Sequence, residues 1–128
     1  MGSTLNPAIL KSRQRWINFF NNLFMNSNEI WNLYSITSRT ILALNPRAIS
    51  ISGYSSEELK VTPIERIYPE NELMKLGALL QNLTSTFVAH DDVTFYTKSG
   101  SLKRVTVHAS LLSHEPEELC LVKTTERD

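Results

Sequence analysis

The chain has 128 residues, the size of one domain and long enough to bury a core. With 13 basic and 13 acidic side chains its formal charge is zero, so bulk electrostatics give no reason to expect nucleic acid or an anionic membrane as partner. A single cysteine, Cys120, excludes an internal disulfide framework, and no apolar run approaches the roughly 20 residues of a membrane-spanning helix. Lys11, Arg13 and Arg15 also interrupt the first apolar stretch, where a secretory signal would need continuity. The expected setting is the reducing cytoplasm.

Asn6-Pro7 opens the first element: a capping side chain followed by a proline at the first helical position, where its missing N–H costs nothing. Ile9, Leu10, Trp16, Ile17, Phe20, Leu23 and Phe24 recur at spacings of three, four and seven and make one broad apolar helix face. Lys11, Arg13 and Arg15 lie mostly off that face and read as solvated residues rather than a lipid or nucleic-acid contact. Asn26-Ser27-Asn28 should fray the helix.

Strand character follows over residues 30–36 and 40–44, with Thr37-Ser38-Arg39 as a turn that lacks glycine. Asn45-Pro46 repeats the cap-then-proline start. Gly53 suits the left-handed end of a short helix, and Ser55 with Glu58 fits a capping box. Thr62-Pro63-Ile64-Glu65 reads as another capping box, opening a short helix that stops before Pro69. Pro69 starts a helix over 70–83 with Leu73, Leu76, Leu79, Leu80 and Leu83 along one side, in which Gly77 would mark a close approach to the sheet.

The last third is strand-rich. Residues 93–97 lead to the turn Lys98-Ser99-Gly100-Ser101. A long strand follows, in which Val105, Val107, Ala109 and Leu111 alternate with Thr106, His108 and Ser110. His114-Glu115-Pro116-Glu117 turns the chain into a last strand over 119–122. Five strands with the helices grouped between the second and third predict an α+β fold. Its core would be a five-stranded antiparallel sheet with helices on one face, plus the N-terminal amphipathic helix.

Four local matches give this order a family likeness. The run Asn45-Pro46-Arg47-Ala48-Ile49-Ser50-Ile51-Ser52-Gly53-Tyr54-Ser55-Ser56-Glu57-Glu58-Leu59 resembles the middle of a PAS domain. Tyr68-Pro69-Glu70-Asn71 is similar to that family's His-Pro-Glu-Asp, and Lys98-Ser99-Gly100 to its Lys-Asp-Gly hairpin turn. Thr125-Glu126-Arg127 resembles the end of its Asp-Ile-Thr-Glu-Arg exit run. The likeness covers residues 29–127. Asn71 and Ser99 replace acidic residues, and the first hairpin lacks the usual Asp-Gly. Lys123 and Thr124 stand where the family has Asp-Ile, which leaves Glu126 or Asp128 to tie the last strand to an outgoing helix.

The resemblance implies a flanking and dimerisation helix in residues 1–28 and a PAS-like domain in 29–128 that ends at the start of an output linker. It implies a sensory or regulatory module of a larger signal-transduction protein, such as a histidine kinase, a cyclic-dinucleotide enzyme or a transcription regulator. Such a module relays the state of a ligand or partner through a homodimer to an output domain. The alternatives are a ligand-free protein-interaction and dimerisation module and a small cone-shaped α+β enzyme. A co-purified small molecule would favour the sensory module, and a clean apo-protein the ligand-free interaction module.

By the same resemblance, Ile41, Ala43, Ile49, Ile64, Ile67, Leu79, Leu80, Phe95, Val107 and Ala109 would line a ligand space between sheet and helices. The same residues equally make a solid core, because packed interiors leave few voids larger than a water. Ile9, Trp16, Ile17, Phe20, Leu23 and Phe24 are costly to leave in water at about 25 cal/mol per Å². They must pack on the outer face of the sheet, on a second copy of the helix, or on both. They are the expected homodimer interface.

The cofactor is open. Haem would need an axial histidine, and His90, His108 and His114 all lie off the helix over 70–83, where haem-binding relatives place theirs. Covalent flavin photochemistry would need a cysteine in a central-helix Asn-Cys-Arg-Phe-Leu-Gln run, whereas Cys120 lies on the last strand. No His, Cys or carboxylate pair has metal-ligand spacing. Neighbours in sequence such as Glu57-Glu58 and Glu117-Glu118 rarely face one site, and Ser55 lacks the G-x-S-x-G context of a nucleophile. No catalytic residue is expected.

Overall fold

The computed structural model describes residues 6–127; residues 1–5 of the N-terminal segment and Asp128, a candidate replacement for the exit aspartate, lie outside them. Helix α1 (Pro7–Phe24) starts where Asn6 accepts the Ala8 N–H at 2.7 Å. Strands β1 (Ile30–Ser35) and β2 (Thr40–Leu44) follow, joined by a turn in which Arg39 takes φ 57° in the absence of a glycine. Then come α2 (Pro46–Ser52), α3 (Ser56–Val61), α4 (Ile64–Ile67) and α5 (Glu70–Thr86), and after them β3 (Val88–Tyr96), β4 (Leu102–Ser113) and β5 (Leu119–Glu126). The strands form one antiparallel sheet in the order β2-β1-β5-β4-β3. First and last strands therefore meet in the centre, and α2 to α5 carry the chain from one edge to the other.

Local chemistry explains most element ends. Asn45 caps α2 by accepting the Ala48 N–H at 3.1 Å, and Gly53 closes that helix at φ 77°. Ser55 and Glu58 make the reciprocal capping box at 3.1 and 2.9 Å. Thr62 does not cap α4: it has extended backbone at the end of α3, and its hydroxyl donates back to the Glu58 carbonyl. Pro63 stands at that cap without a side-chain bond, which suits a helix of four residues. Gly77 marks no close approach, because a Cβ there would meet nothing within 4 Å. Helix α5 runs to Thr86 and ends at Phe87, which takes φ 68° and donates its N–H to the Leu83 carbonyl at 2.8 Å. Strand β3 then starts at Val88, well before residue 93. Its first half is an edge paired only to β4, and polar residues at His90 and Asp92 face solvent, so it carries no apolar alternation.

Two apolar clusters occupy opposite faces of the sheet. The main core, on the face of α2 to α5, includes Ile30, Tyr34, Leu44, Leu59, Leu79, Leu83, Phe95 and Val105. The second joins Leu33 and Ala43 to Phe20 of α1, with Trp16, Ile17, Phe24 and Trp31 packed around them. Phe20 is fully buried there and has no surface left for a partner. Among the expected interface residues, Leu23 instead stays 60% exposed.

A buried ion pair fastens α1 to the sheet. Glu117, 2% exposed, accepts from Arg13 Nε at 2.5 Å, from Arg13 Nη2 at 2.8 Å and from the Ser35 hydroxyl at 2.8 Å. Arg13 is thus no solvated residue: its guanidinium bridges α1 to the segment before β5 and also donates to Ser38 Oγ at 3.0 Å. Burial pushes the Glu117 carboxyl up, but the hydrogen bonds from Arg13 and Ser35 and the guanidinium charge outweigh it and hold the group below its ordinary value.

Candidate ligand-binding site

Strand alternation aims every second residue of the sheet at the helical layer, and the two layers do not close completely. A cavity of about 140 Å³ remains between them. Ile30, Asn32 and Tyr34 of β1, Ile41 and Leu44 of β2, and Val105, Val107 and Ala109 of β4 form its floor. Phe95, Val122 and Thr124 complete the sheet side. Ala48, Ile51 and Ser52 of α2 share one helix face at i, i+3 and i+4 and close one side, while Leu76, Leu79 and Leu80 of α5 close another. Leu59, Thr62, Ile64, Ile67 and Tyr68 fill the segment between them.

Eight of the ten residues expected on such a space are on its wall: Ile41, Ile64, Ile67, Leu79, Leu80, Phe95, Val107 and Ala109. Ala43 is on the opposite face. The register pairs Leu33 with Ala43 and Tyr34 with Ile41, so Leu42 is an extra residue in β2. That bulge breaks the period of two, keeping Ile41 on the cavity and placing Ala43 beneath α1. Ile49 packs against the main core without reaching the cavity, because it stands about 100° around α2 from Ala48.

Sequence reasoning passed over the polar wall. Asn32 and Tyr34 share the parity of Ile30 on β1, a signal that was available. Arg39, Thr62, Tyr68 and Thr124 carry none. Burial pushes the Tyr34 phenol up to about 12; the neighbouring Cys120 adds to this and the positive charge of Arg39 opposes it. Burial, then Tyr34, pushes Tyr68 up to about 12 as well. Both phenols are therefore neutral at physiological pH and act as hydrogen-bonding groups rather than bases.

The candidate acid, base and nucleophile side chains of the sequence lie elsewhere than on this wall. Cys120 stands beside Tyr34 in the β1–β5 register, buried in the main core and not part of the cavity wall, and burial raises its thiol to about 12, which leaves it protonated and inert. His90 and His108 stack at 5.5 Å between centroids on β3 and β4, and His114 sits 3.3 Å from Glu118, so no histidine lines the cavity. Glu58 is engaged by the capping box and by Lys98 at 2.8 Å. Glu117 and Glu118 point to different partners, Arg13 and His114. Among the described residues no cluster of three or more His, Cys, Asp or Glu could hold a metal ion, and no helix is long and apolar enough to cross a membrane.

Size sets the class of guest. An apolar cavity of about 150 Å³ admits benzene, whereas pockets for drug-sized molecules begin near 300 Å³. The space here suits a molecule of one ring; anything much larger requires the helices to move.

The model of the PAS domain family matches residues 32–128. A PAS domain from a two-component sensor histidine kinase is similar in structure, with a TM-score of 0.71 and 15% identity over 89% of this chain and 98% of its own. The PAS domain of an HTR-like protein from Haloarcula marismortui gives a TM-score of 0.64 and 21% identity over 93% of this chain and 98% of its own. PAS-B of Drosophila melanogaster Cycle, solved with bound ethylene glycol, gives a TM-score of 0.68 and 13% identity over 77% of this chain and 99% of its own. At these identities the likeness establishes the fold. No curated protein matches the sequence.

Proposed function

The chain belongs to the PAS domain family, whose members are typically sensory modules of signalling proteins, and from that premise we propose that it senses a small molecule in the cavity and relays its presence through a homodimer to an output domain. The observation that carries this reading is the cavity itself, walled by both layers of the fold. A guest would touch Tyr34 on β1, and the next residue, Ser35, faces the other way and donates to Glu117, which holds Arg13 of α1. Two adjacent residues of one strand thus join the ligand space to the flanking helix.

Ala109 is 2% exposed and lines the cavity, so Ala109→Leu should fill part of it. Urea denaturation is expected to show a gain of about 1 kcal/mol, in the range of other cavity-filling changes. Titration with benzyl alcohol followed by NMR should show binding to the wild type and its loss in the variant. Binding that survives the substitution would place the guest elsewhere. Absence of any guest from the wild type would leave the ligand-free interaction module.

The dimer reading rests on the flank of α1. Leu23 is 60% exposed next to Phe19, which packs edge-on against Trp16 and Phe24. Leu23→Glu leaves the packed residues Phe20 and Trp16 in place and should convert a dimer to a monomer in sedimentation equilibrium, with unchanged circular dichroism. A monomeric wild type would overturn the reading.

A further inference from the structure

The residues that line the cavity include one charged side chain, Arg39, and no carboxylate. Arg39 is exposed yet lines the space, so it stands where the cavity opens to solvent. Its backbone is held at φ 57°, a left-handed conformation uncommon for a non-glycine residue. Among the described residues no carboxylate lies within ion-pair distance of its guanidinium. Glu65 is near enough to act on the Tyr34 phenol, but more weakly than Arg39 does and with the opposite sense, and it is not part of the wall. Tyr34, Tyr68, Asn32 and Thr62 add neutral hydrogen-bonding groups. An apolar interior, several donors and one cation at the opening together complement a single negative charge on an apolar body.

We propose that the guest is a small monocarboxylate, with an apolar body of about six carbons inside the cavity and its carboxylate on the Arg39 guanidinium at the opening. Guanidinium and carboxylate match as planar, two-pronged partners, and one arginine neutralises one such charge. The aromatic and the aliphatic acid share this chemistry, so both belong in the test. This inference rests on the cavity being a ligand site, and the test separates the two.

Isothermal titration of the full chain with benzoate, hexanoate and benzyl alcohol decides it. At least one acid should bind the wild type about tenfold or more tightly than the alcohol, the scale of a charge-assisted hydrogen bond. Which acid wins identifies the body as aromatic or aliphatic. In Arg39→Gln that preference should vanish while benzyl alcohol binds as before, and Arg39→Lys should keep part of it. Equal affinity for acid and alcohol in the wild type, which needs no variant, overturns the proposal and leaves the cavity a site for neutral molecules. An acid preference untouched by Arg39→Gln also overturns it. If none of the three compounds binds, the ligand reading of the cavity falls as well.

Discussion

Asn45→Ala should cost about 3–4 kcal/mol of folding stability, because a buried side chain that makes four hydrogen bonds contributes roughly 1 kcal/mol through each. Asn45 is fully buried. Its Oδ1 accepts the N–H of Trp31 at 3.2 Å and of Ala48 at 3.1 Å, and its Nδ2 donates to the carbonyls of Phe24 at 3.1 Å and Glu29 at 2.7 Å. Truncation would remove an N-cap and break bonds to three separate segments. The Ala48 N–H keeps the Asn45 carbonyl and the Phe24 carbonyl keeps the Ser27 N–H, while the Trp31 N–H and the Glu29 carbonyl lose their side-chain partner. The shift of the urea midpoint, followed by tryptophan fluorescence, measures the loss. Asn45→Asp sharpens the test. It keeps the acceptor but replaces the donating nitrogen with an oxygen facing two carbonyl oxygens, so it should cost as much as alanine despite its shape. Near-wild-type stability for the aspartate variant would show that capping alone matters and that the two donated bonds do not.

Glu117→Ala should destabilise by about 3 kcal/mol and free α1 from the sheet. Removing one partner of a buried ion pair costs about 3–5 kcal/mol, and the lower end applies because the Arg13 side chain keeps 16% exposure. The abandoned guanidinium and the Ser35 hydroxyl would pull water under the helix, so Trp16 emission should shift to the red and the amides of α1 should exchange faster than those of the sheet. Uniform protection across α1 in the variant would refute the fastening role. The same pair dictates a pH response. The folded Glu117 carboxyl lies below its ordinary value, so it binds protons less readily folded than unfolded. Its contribution is therefore fully present above about pH 4.5 and is lost as pH falls through the lower, folded value. Glu58 and Glu72 are lowered too and add to acid sensitivity, but Glu117→Gln should remove only the part that α1 reports.

The layout of the fold was legible because its signals are local. The helix caps made by Asn45, Gly53, Ser55 and Glu58 involve neighbours within four residues, and the alternation from Val105 to Leu111 needs only the strand that contains it. What could not be read depends on distant pairing. Arg13 and Glu117 are 104 positions apart, and nothing around either announces the other. The extra residue at Leu42 exists because of how β2 meets β1, and it alone moved Ala43 from one face to the other. The apolar wall was accessible through parity and helix period. Whether those side chains met or left space between them was not, since the same leucines and valines build a filled core. Arg39 combines both difficulties: a turn residue with no motif, brought to the opening by a hairpin whose shape appears only in three dimensions.

The four bonds of Asn45 also bear on where this domain begins. Family likeness is detectable from residue 32, yet two of the carbonyls that hold Asn45 belong to Phe24 and Glu29, and the partner of Glu117 is Arg13. A shortened chain starting at residue 32 would keep the motifs of the family and lose three of the four Asn45 side-chain bonds, to Phe24, Glu29 and Trp31, together with the Arg13–Glu117 pair, while Leu33 and Ala43 would face water. The family signature and the contacts that brace it have different borders, and the contacts reach further upstream.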